Sequence, residues 1–124
     1  MPWDVDFDED FADEFAALDE AVKIELAAKV MLLRQFGPQL GRPHVDTLKG
    51  SRHVNMKELR FWTSNGVWRV AFAFDPARAA ILLVAGDKSG MSERRFYREL
   101  IKLADTRFDR HLNVMAGQRN GEKG

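Results

Sequence analysis

Four charged side chains stand in a segment of the chain that is otherwise mostly apolar. The segment KELRFWTSNGVWRVAFAF, residues 57–74, contains Lys57, Glu58, Arg60 and Arg69. An arginine in a strand made of valine, tryptophan, alanine and phenylalanine needs a specific partner, because an unpaired buried charge is costly. We therefore expect Arg69 and its charged neighbours to form a surface that binds an anion.

The same segment alternates as two strands joined by a turn. In the first strand Leu59 and Phe61 point to one face, and Glu58, Arg60 and Trp62 point to the other. The SNG triplet supplies a hairpin turn, because asparagine and glycine tolerate positive φ. The second strand has a bulky face and a face that is small except for its arginine: Trp68, Val70, Phe72 and Phe74 against Val67, Arg69, Ala71 and Ala73.

The register of this hairpin decides whether the charges meet. If the turn brings the small face beside Glu58, then Arg60 and Arg69 share one surface with it. Ala71 and Ala73 would then leave room for a groove rather than a filled core. The alternative is that Glu58 and Arg60 form ordinary cross-strand pairs on a solvated face of the sheet.

Further candidates follow the hairpin in the chain. Lys88 stands at the end of the next strand, AILLVAGD, and Tyr97 lies one turn into the last helix among Arg94, Arg95 and Arg98. Tyr97 could equally be a core aromatic residue with a solvated hydroxyl group. The three arginines could equally form a solvated helix face.

Several kinds of chemistry are missing from the sequence. GDKSG lacks the spacing of a phosphate-binding loop, and no serine stands in a nucleophile-elbow context. His44, His53 and His111 lack the spacing of a metal site, and the absence of cysteine removes disulfides, thiol catalysis and cysteine-bound zinc. An enzyme built from this chain would need no metal, cofactor or covalent nucleophile.

The elements that position these residues are predicted in the order β-α-α-β-β-β-α. WDVDF alternates as a short strand, and Asp8 and Asp19 suit the N-caps of two helices. Gly37 suits the end of the second helix. The connection 37–56 is long enough to be functional, and Ser92 can cap the last helix. The apolar stripe of the second helix is expected to be Val22 or Ala21 with Ile24, Ala28, Met31, Leu32 and Phe36.

Composition is that of one globular domain in 124 residues. The net charge is zero, but residues 1–41 carry a charge of −7 and the remainder carries +7. This asymmetry would allow an anionic partner on one side, or it could simply reflect two solvated faces. No segment is apolar over enough residues to span a membrane, and the acidic N-terminus lacks a signal pattern, so a cytoplasmic location is expected.

Three longer segments resemble one protein family in their order and spacing. They are LGRPHVDTLKGSRHVNMKELRF, GVWRVAFAFDPARAAILLVAGDKSG and ERRFYRELIKLADTRFDRHL. Together they closely resemble the RelE/HigB superfamily, toxins of bacterial type II toxin–antitoxin modules, in its phage-derived Gp49-like branch. The resemblance covers residues 1–112, and residues 113–124 are expected to form a flexible C-terminal tail. It implies an α+β fold of the RelE type, in which a small, mostly antiparallel sheet packs on two N-terminal helices, with a C-terminal helix.

The resemblance also implies a function. Family members are ribosome-dependent mRNA endonucleases that cut the A-site codon without metal, through attack of the ribose 2′-OH on the adjacent phosphate. They are held by an antitoxin, usually a small helix-turn-helix protein of the HigA type, which would bind either the acidic N-terminal helices or the basic groove. Two alternatives are a phage-derived protein that inhibits a host target without cutting RNA, and a remnant without toxicity.

The residues that match the family positions receive roles by this resemblance. Arg69 and Arg60 would stabilise the phosphate, Lys88 would add a basic group, and Tyr97 would orient or stack on the substrate. Glu58 stands where many relatives have lysine, so it is either a general base or a group that holds an arginine in place; the alternative titrating group is His53. The expected RNA-binding residues are Lys49, Arg52, His53, Lys57, Arg94, Arg95 and Arg98.

Overall fold

The computed structural model describes residues 2–64, 66–88 and 90–123, and these form a five-stranded sheet with three α-helices. Side chains are described as far as Gly117. A 3-10 turn, Gly37–Gln39, follows the second helix. The elements in chain order are β1 (Asp4–Phe7), α1 (Glu9–Ala16), α2 (Glu20–Phe36), β2 (Val45–Thr47), β3 (Lys57–Thr63), β4 (Gly66–Phe74), β5 (Ala79–Asp87) and α3 (Glu93–Lys123).

The sheet has the strand order β1-β5-β4-β3-β2, and only the β1–β5 pair is parallel. β5 is paired along both edges, which fits a strand that is apolar on both faces. The sequence pattern does not reveal β2, because its three residues are too few to display alternation. β2 lies inside the predicted loop 37–56 and pairs with β3. The α+β class and the mostly antiparallel sheet are confirmed.

Most local signals at the ends of the first two helices are also confirmed, but Asp19 stands at the N-cap of α2 without a side-chain capping hydrogen bond. The Asp8 carboxylate caps α1 by accepting hydrogen bonds from the backbone N–H groups of Asp10 and Phe11. Gly37 ends α2 with φ of 55°, and a Cβ there would lie 2.3 Å from the Trp3 ring. Glycine is therefore needed at this position both for its backbone conformation and for the space that it leaves. Asn65, the centre of the predicted hairpin turn, lies outside the described residues.

Each face of the sheet carries its own core. α1 and α2 cover the face that includes Phe61 and Phe72, whereas α3 covers the face that includes Ala71 and Ala73. The groove predicted beside these two alanines is therefore wrong, because both are fully buried in one cluster with Leu100 of α3. Their small side chains let the helix approach the sheet closely, so the space is filled by the protein itself.

β5 contains a β-bulge where it pairs with β4. Ala71 pairs with Val84 and Phe72 pairs with Leu82, so Leu83 has no partner in the register. The shift leaves Gly86 opposite Arg69. A Cβ at Gly86 would lie 3.0 Å from the Phe96 ring of α3. This glycine therefore allows the beginning of the helix to pack closely on the sheet beside Arg69.

Two arginines of α3 bind the acidic N-terminal part of the chain. Arg107 is buried and donates to both carboxylate oxygens of Glu14, at 2.8 and 2.5 Å, and to the Leu83 carbonyl at 2.7 Å. Arg110 donates to Asp8 at 2.7 Å and to Asp10 at 2.9 Å. Part of the charge asymmetry along the sequence is therefore neutralised within the fold.

The predicted apolar stripe of α2 is wrong in most of its positions. Val22 is buried as expected, but the other buried residues of the helix are Leu26 and Leu33. Ile24 and Met31 are 60% and 72% exposed. Apolar residues stand on more than one side of this helix, so its own periodicity does not decide which side meets the sheet.

α3 begins as predicted and is longer than predicted. Ser92 caps it, accepting from the backbone N–H of Arg95, and its buried residues Phe96, Leu100 and Phe108 pack on the sheet. The helix continues to Lys123 and so includes residues 113–123, which lie in the segment 113–124 whose flexibility stays a prediction. In the described part of the chain, no helix combines the length and the hydropathy required to cross a bilayer.

Candidate active site

The register of the β3–β4 hairpin brings the two arginines together. Arg60 pairs directly with Arg69, and Glu58 pairs with Ala71 in the same ladder. Side chains that face each other across two strands point to the same side of the sheet. Arg60 and Arg69 therefore share the α3-facing surface with Glu58, as the sequence predicts.

Glu58 is the buried centre of this cluster. Only 3% of its side-chain surface is exposed. Its Oε1 atom accepts from Arg60 Nε at 2.5 Å and from the Tyr97 hydroxyl at 3.1 Å. Its Oε2 atom is buried and has no hydrogen-bond partner among the described residues. The carboxylate thus fixes a cation of β3 and a phenol of α3, which stand 37 residues apart in the chain, around one oxygen atom.

Arg69 packs against aromatic rings at the start of α3. The central carbon of its guanidinium group lies 5.6 Å from the ring centroid of Phe96 and 5.6 Å from that of Tyr97. These are cation–π distances, which hold the planar group in place without neutralising it. Its Nε atom is buried and has no hydrogen-bond partner among the described residues. The guanidinium group forms no ion pair with another described residue either, so Arg69 keeps donors for a bound anion.

The cluster perturbs the protonation of its members. Burial raises the pKa of Tyr97, and the hydrogen bond to the Glu58 carboxylate raises it further. The hydrogen bond to Glu58 also raises the pKa of Arg60. At neutral pH the phenol is therefore a neutral donor and the guanidinium a permanent cation.

A cavity of about 360 Å³ opens beside this cluster. Glu58, Arg60 and Tyr97 form part of its wall, together with Lys49 from the β2–β3 connection. Sequence reasoning does not identify the remaining lining residues, because they depend on β2 and on the docking of α3. Those residues are Arg42, Asp46, Thr47, Leu48 and Glu93.

Asp46 is the acidic member of this wall. It lies on β2 opposite Glu58 and binds Arg42 at 3.1 Å. The backbone N–H of Thr47 and the Arg42 guanidinium hold the pKa of its carboxyl group below the usual range. The only sequence signal for this pair is the spacing of Arg42 and Asp46, four residues apart.

The other predicted basic residues lie on the first turns of α3, after β5 and on the opposite face of the sheet. Arg94, Arg95 and Arg98 are exposed on the first two turns of α3, and Arg95 pairs with Glu99 at 3.4 Å. Lys88 is exposed directly after β5. Lys57 alternates with Glu58 along β3, so it shares the opposite face of the sheet with Leu59 and is not brought to the cluster. The residues brought together are Glu58, Arg60, Arg69, Tyr97 and Lys49.

Arg52 and His53 lie at a different place. Both bind Asp109, with His53 Nε2 2.7 Å from the carboxylate. Asp109 comes twelve residues after Tyr97 on α3, which corresponds to roughly 18 Å along the helix axis. His53, the alternative titrating group, is therefore not brought to the cluster of Glu58. The cause is the buried Asp105, which accepts from Ser51 Oγ and from the Arg52 N–H and so draws this loop toward the far part of α3.

The arrangement is suited to binding a phosphate group. Two guanidinium groups in adjacent strands form charge-assisted hydrogen bonds with anionic oxygens, and a buried carboxylate fixes the orientation of one of them. The described residues contain no group of three or more His, Cys, Asp or Glu side chains that could hold a metal ion.

The fold is of the RelE type. The chain is similar to the structure of the free E. coli toxin RelE carrying two arginine-to-alanine substitutions. The TM-score is 0.59 at 17% sequence identity, and the similarity covers 82% of this chain and 95% of that chain. At this level of identity the likeness concerns the fold.

The family is identified by the sequence itself. Residues 13–109 match the sequence model of the family described as phage derived protein Gp49-like (DUF891). The chain therefore belongs to the Gp49-like family, a branch of the RelE/HigB superfamily.

Two proteins of Mycobacterium tuberculosis (strain ATCC 25618 / H37Rv), both named as toxins, are similar in sequence. HigB3 is 42% identical over 107 residues, which cover 86% of this chain and 89% of that protein. HigB2 is 51% identical over 86 residues, which cover 68% of this chain. The matched part is 42% of the length of HigB2.

Proposed function

We propose that the protein is the toxin of a type II toxin–antitoxin module and that it cuts messenger RNA in the ribosomal A site. The observation that carries this proposal is the direct pairing of Arg60 with Arg69 beside the buried Glu58–Tyr97 contact. Membership in the Gp49-like family and the names of the two HigB relatives support the toxin assignment. Endonuclease activity on the ribosome goes beyond the toxin assignment and is proposed from the arginine pair.

The proposed reaction is an internal transfer of the phosphodiester. The 2′-oxygen forms a bond to phosphorus, the bond from phosphorus to the 5′-oxygen breaks, and the products are a 2′,3′-cyclic phosphate and a 5′-hydroxyl. The 2′-OH loses a proton and the leaving oxygen gains one. Negative charge grows on the phosphate oxygens meanwhile, and fixed cations at that place are the largest single source of rate enhancement in such sites.

Arg69 and Arg60 are assigned to that charge. The Arg69 side chain forms no hydrogen bond or ion pair with another described residue and is held by two aromatic rings, so its guanidinium group keeps donors for a phosphate oxygen. Arg60 is oriented by Glu58, and 38% of its side chain is exposed toward solvent. Lys49, which lines the same cavity, supplies a further positive charge for the RNA backbone.

Glu58 is assigned a positioning role. A general base must reach the proton that it removes within about 3 Å. The Glu58 carboxylate is buried, and its Oε1 atom already accepts from Arg60 and Tyr97. Its geometry favours holding these two groups over taking a proton from the substrate, and substitution of Glu58 by glutamine distinguishes the two roles.

A ribosomal reaction implies both a partner and a location. The protein would act in the cytoplasm and would be held by a cognate helix-turn-helix antitoxin of the HigA type. The α1 acids Asp10 and Glu14 pair with arginines of α3, so they are less available to a basic partner than the sequence suggests. The open cavity beside Arg60, which Lys49 also lines, is therefore the surface proposed for the antitoxin.

Mapping of RNA ends tests the function. The protein is expressed without antitoxin, and new mRNA 5′ ends are mapped across the transcriptome. Ends in register with codons inside translated regions are expected, and they should disappear when translation initiation is blocked. Arg69→Ala should remove them, and circular dichroism and thermal unfolding verify that the variant folds. Growth arrest with intact messages would instead support a host-inhibiting protein of the same fold.

A further inference from the structure

A large aromatic side chain stands exposed beside the paired arginines. Trp62 follows Arg60 by two residues on β3, and 54% of its surface is exposed. Residues two apart on a strand are about 6.6 Å apart and point to the same face. Trp62 therefore extends the α3-facing surface of Glu58 and Arg60 by one further position.

The other two tryptophans are packed, whereas Trp62 is not. Trp3 contacts the Phe74 ring edge-to-face, with centroids 5.1 Å apart, and Trp68 stacks with Phe61 at 6.4 Å. Within residues 2–64, 66–88 and 90–117, no other aromatic ring contacts Trp62. Its ring is available to a ligand.

The neighbouring elements leave this part of the sheet open. Trp62 pairs with Val67, two pairs along the ladder from Arg60–Arg69, which makes it the next pair on the same face of the sheet. α3 packs on the sheet as far as Gly86, the cross-strand partner of Arg69, through the ring of Phe96. Trp62 is not part of the wall of the 360 Å³ cavity. The surface of Trp62 is thus an open platform at the edge of the cationic site.

We infer that Trp62 is a stacking platform for a nucleobase of single-stranded RNA, next to the phosphate held by Arg60 and Arg69. The inference rests on the proposed function. The base of a nucleotide is one sugar away from its phosphate, so a strand bound at the arginines can bring a base onto the neighbouring row. Positive charge beside an exposed ring is the combination that binds single-stranded nucleic acid.

This assignment commits to RNA rather than to a protein. The flanking charges of the platform are the cations Arg60 and Arg69, and cations beside an aromatic ring complement a polyanion that carries flat bases. Because every base has a π face, the platform adds affinity without selecting a codon.

Binding of an uncleavable RNA tests the inference. A labelled oligoribonucleotide with 2′-O-methyl groups, which cannot undergo the transfer reaction, is titrated into the protein at low salt. Trp62→Ala should weaken binding by about 5- to 150-fold, the range typical of one lost base–aromatic stack. Trp62→Phe keeps a ring and should bind within a few-fold of the natural protein, whereas quenching of tryptophan fluorescence on binding should largely vanish. Met31→Ala, at an exposed position on α2, should change nothing.

An abasic strand of the same length separates stacking from structure. The natural protein and Trp62→Ala should bind it equally, since no base is present to stack. The inference is overturned if Trp62→Ala binds the normal strand as the natural protein does, if its defect persists in full on the abasic strand, or if the natural protein does not bind the oligonucleotide. None of these outcomes bears on codon-phased mRNA cleavage in cells, which tests the proposed function separately.

Discussion

Arg60 and Arg69 are direct cross-strand partners in the β3–β4 ladder. Two like charges in such a pair destabilise a sheet unless something compensates them. Here Glu58 binds Arg60, and the rings of Phe96 and Tyr97 hold Arg69. The sheet thus keeps two cations side by side, which is costly for stability and useful for binding a phosphate.

Removal of Arg69 should abolish cleavage while the fold survives. Arg69→Ala should lower the single-turnover rate on programmed ribosomes by about a hundredfold or more, equivalent to roughly 3–4 kcal/mol of transition-state stabilisation. The control is Arg34→Ala, which removes an exposed arginine of α2 on the other face of the sheet and should leave the rate nearly unchanged. A variant at position 69 that cleaves as fast as the natural protein would refute the assignment of this face.

Glu58→Gln should reduce cleavage only moderately. Glutamine keeps an oxygen that can accept from Arg60 and Tyr97, so a positioning residue should lose less than about tenfold. Loss of a general base would cost about 10²- to 10⁴-fold. The pH–rate profile decides between the roles, because it should keep its shape in the variant if Glu58 is a positioning residue. Disappearance of its acidic limb would identify Glu58 as the base.

The ionisation of Tyr97 can be measured directly. It is the only tyrosine in the chain, so absorbance of tyrosinate reports this residue alone. Burial and the Glu58 carboxylate raise its pKa above 10, and Glu58→Gln should move the midpoint back toward 10. A midpoint at 10 in the natural protein would contradict the buried contact.

The same shift predicts a change in stability with pH. A raised pKa means that the folded state binds the phenol proton more tightly than the unfolded chain does. The stabilisation is therefore fully present below pH 10 and is lost as the pH rises through the folded-state pKa. Urea unfolding from pH 8 to 11 should show this loss in the natural protein. Tyr97→Phe should remove that part of the decline.

Arg107 should be a major contributor to stability. It is buried and links Glu14 of α1 with the carbonyl of Leu83 at the bulge. Arg107→Ala should lower the free energy of unfolding by about 2–4 kcal/mol, because it leaves the buried Leu83 carbonyl without its donor and Glu14 without its guanidinium partner. The matched control Arg95→Ala breaks only an exposed pair and should change it by less than about 0.5 kcal/mol. Equal effects in chemical denaturation would contradict this difference.

Two basic residues of the β2–β3 connection should differ in RNA binding. Lys49 lines the cavity with Arg60, whereas Arg52 pairs with Asp109 elsewhere. Lys49→Ala should make the plot of log K against log salt concentration less steep by about 0.7, the value for one phosphate contact with a single strand. Arg52→Ala should leave the slope unchanged. The opposite result would indicate that the RNA binds near Arg52, at the far part of α3.

The sequence by itself determined the local geometry of the site. Period-two alternation placed Glu58, Arg60 and Trp62 on one face of β3, and the β4 pattern placed Arg69 on the matching face. Asp8, Gly37 and Ser92 marked the helix ends. These features depend on residues close together in the chain, where backbone geometry repeats with a fixed period.

Only the tertiary structure decided what these residues meet. Docking of α3 brought Tyr97 onto Glu58 and filled the expected groove above Ala71. The same docking, through Asp105, drew the loop of Arg52 and His53 away from the site. The physical reason is that packing of distant elements depends on side-chain volumes, on buried hydrogen bonds and on a bulge at Leu83. None of these appears as a periodic pattern in the sequence.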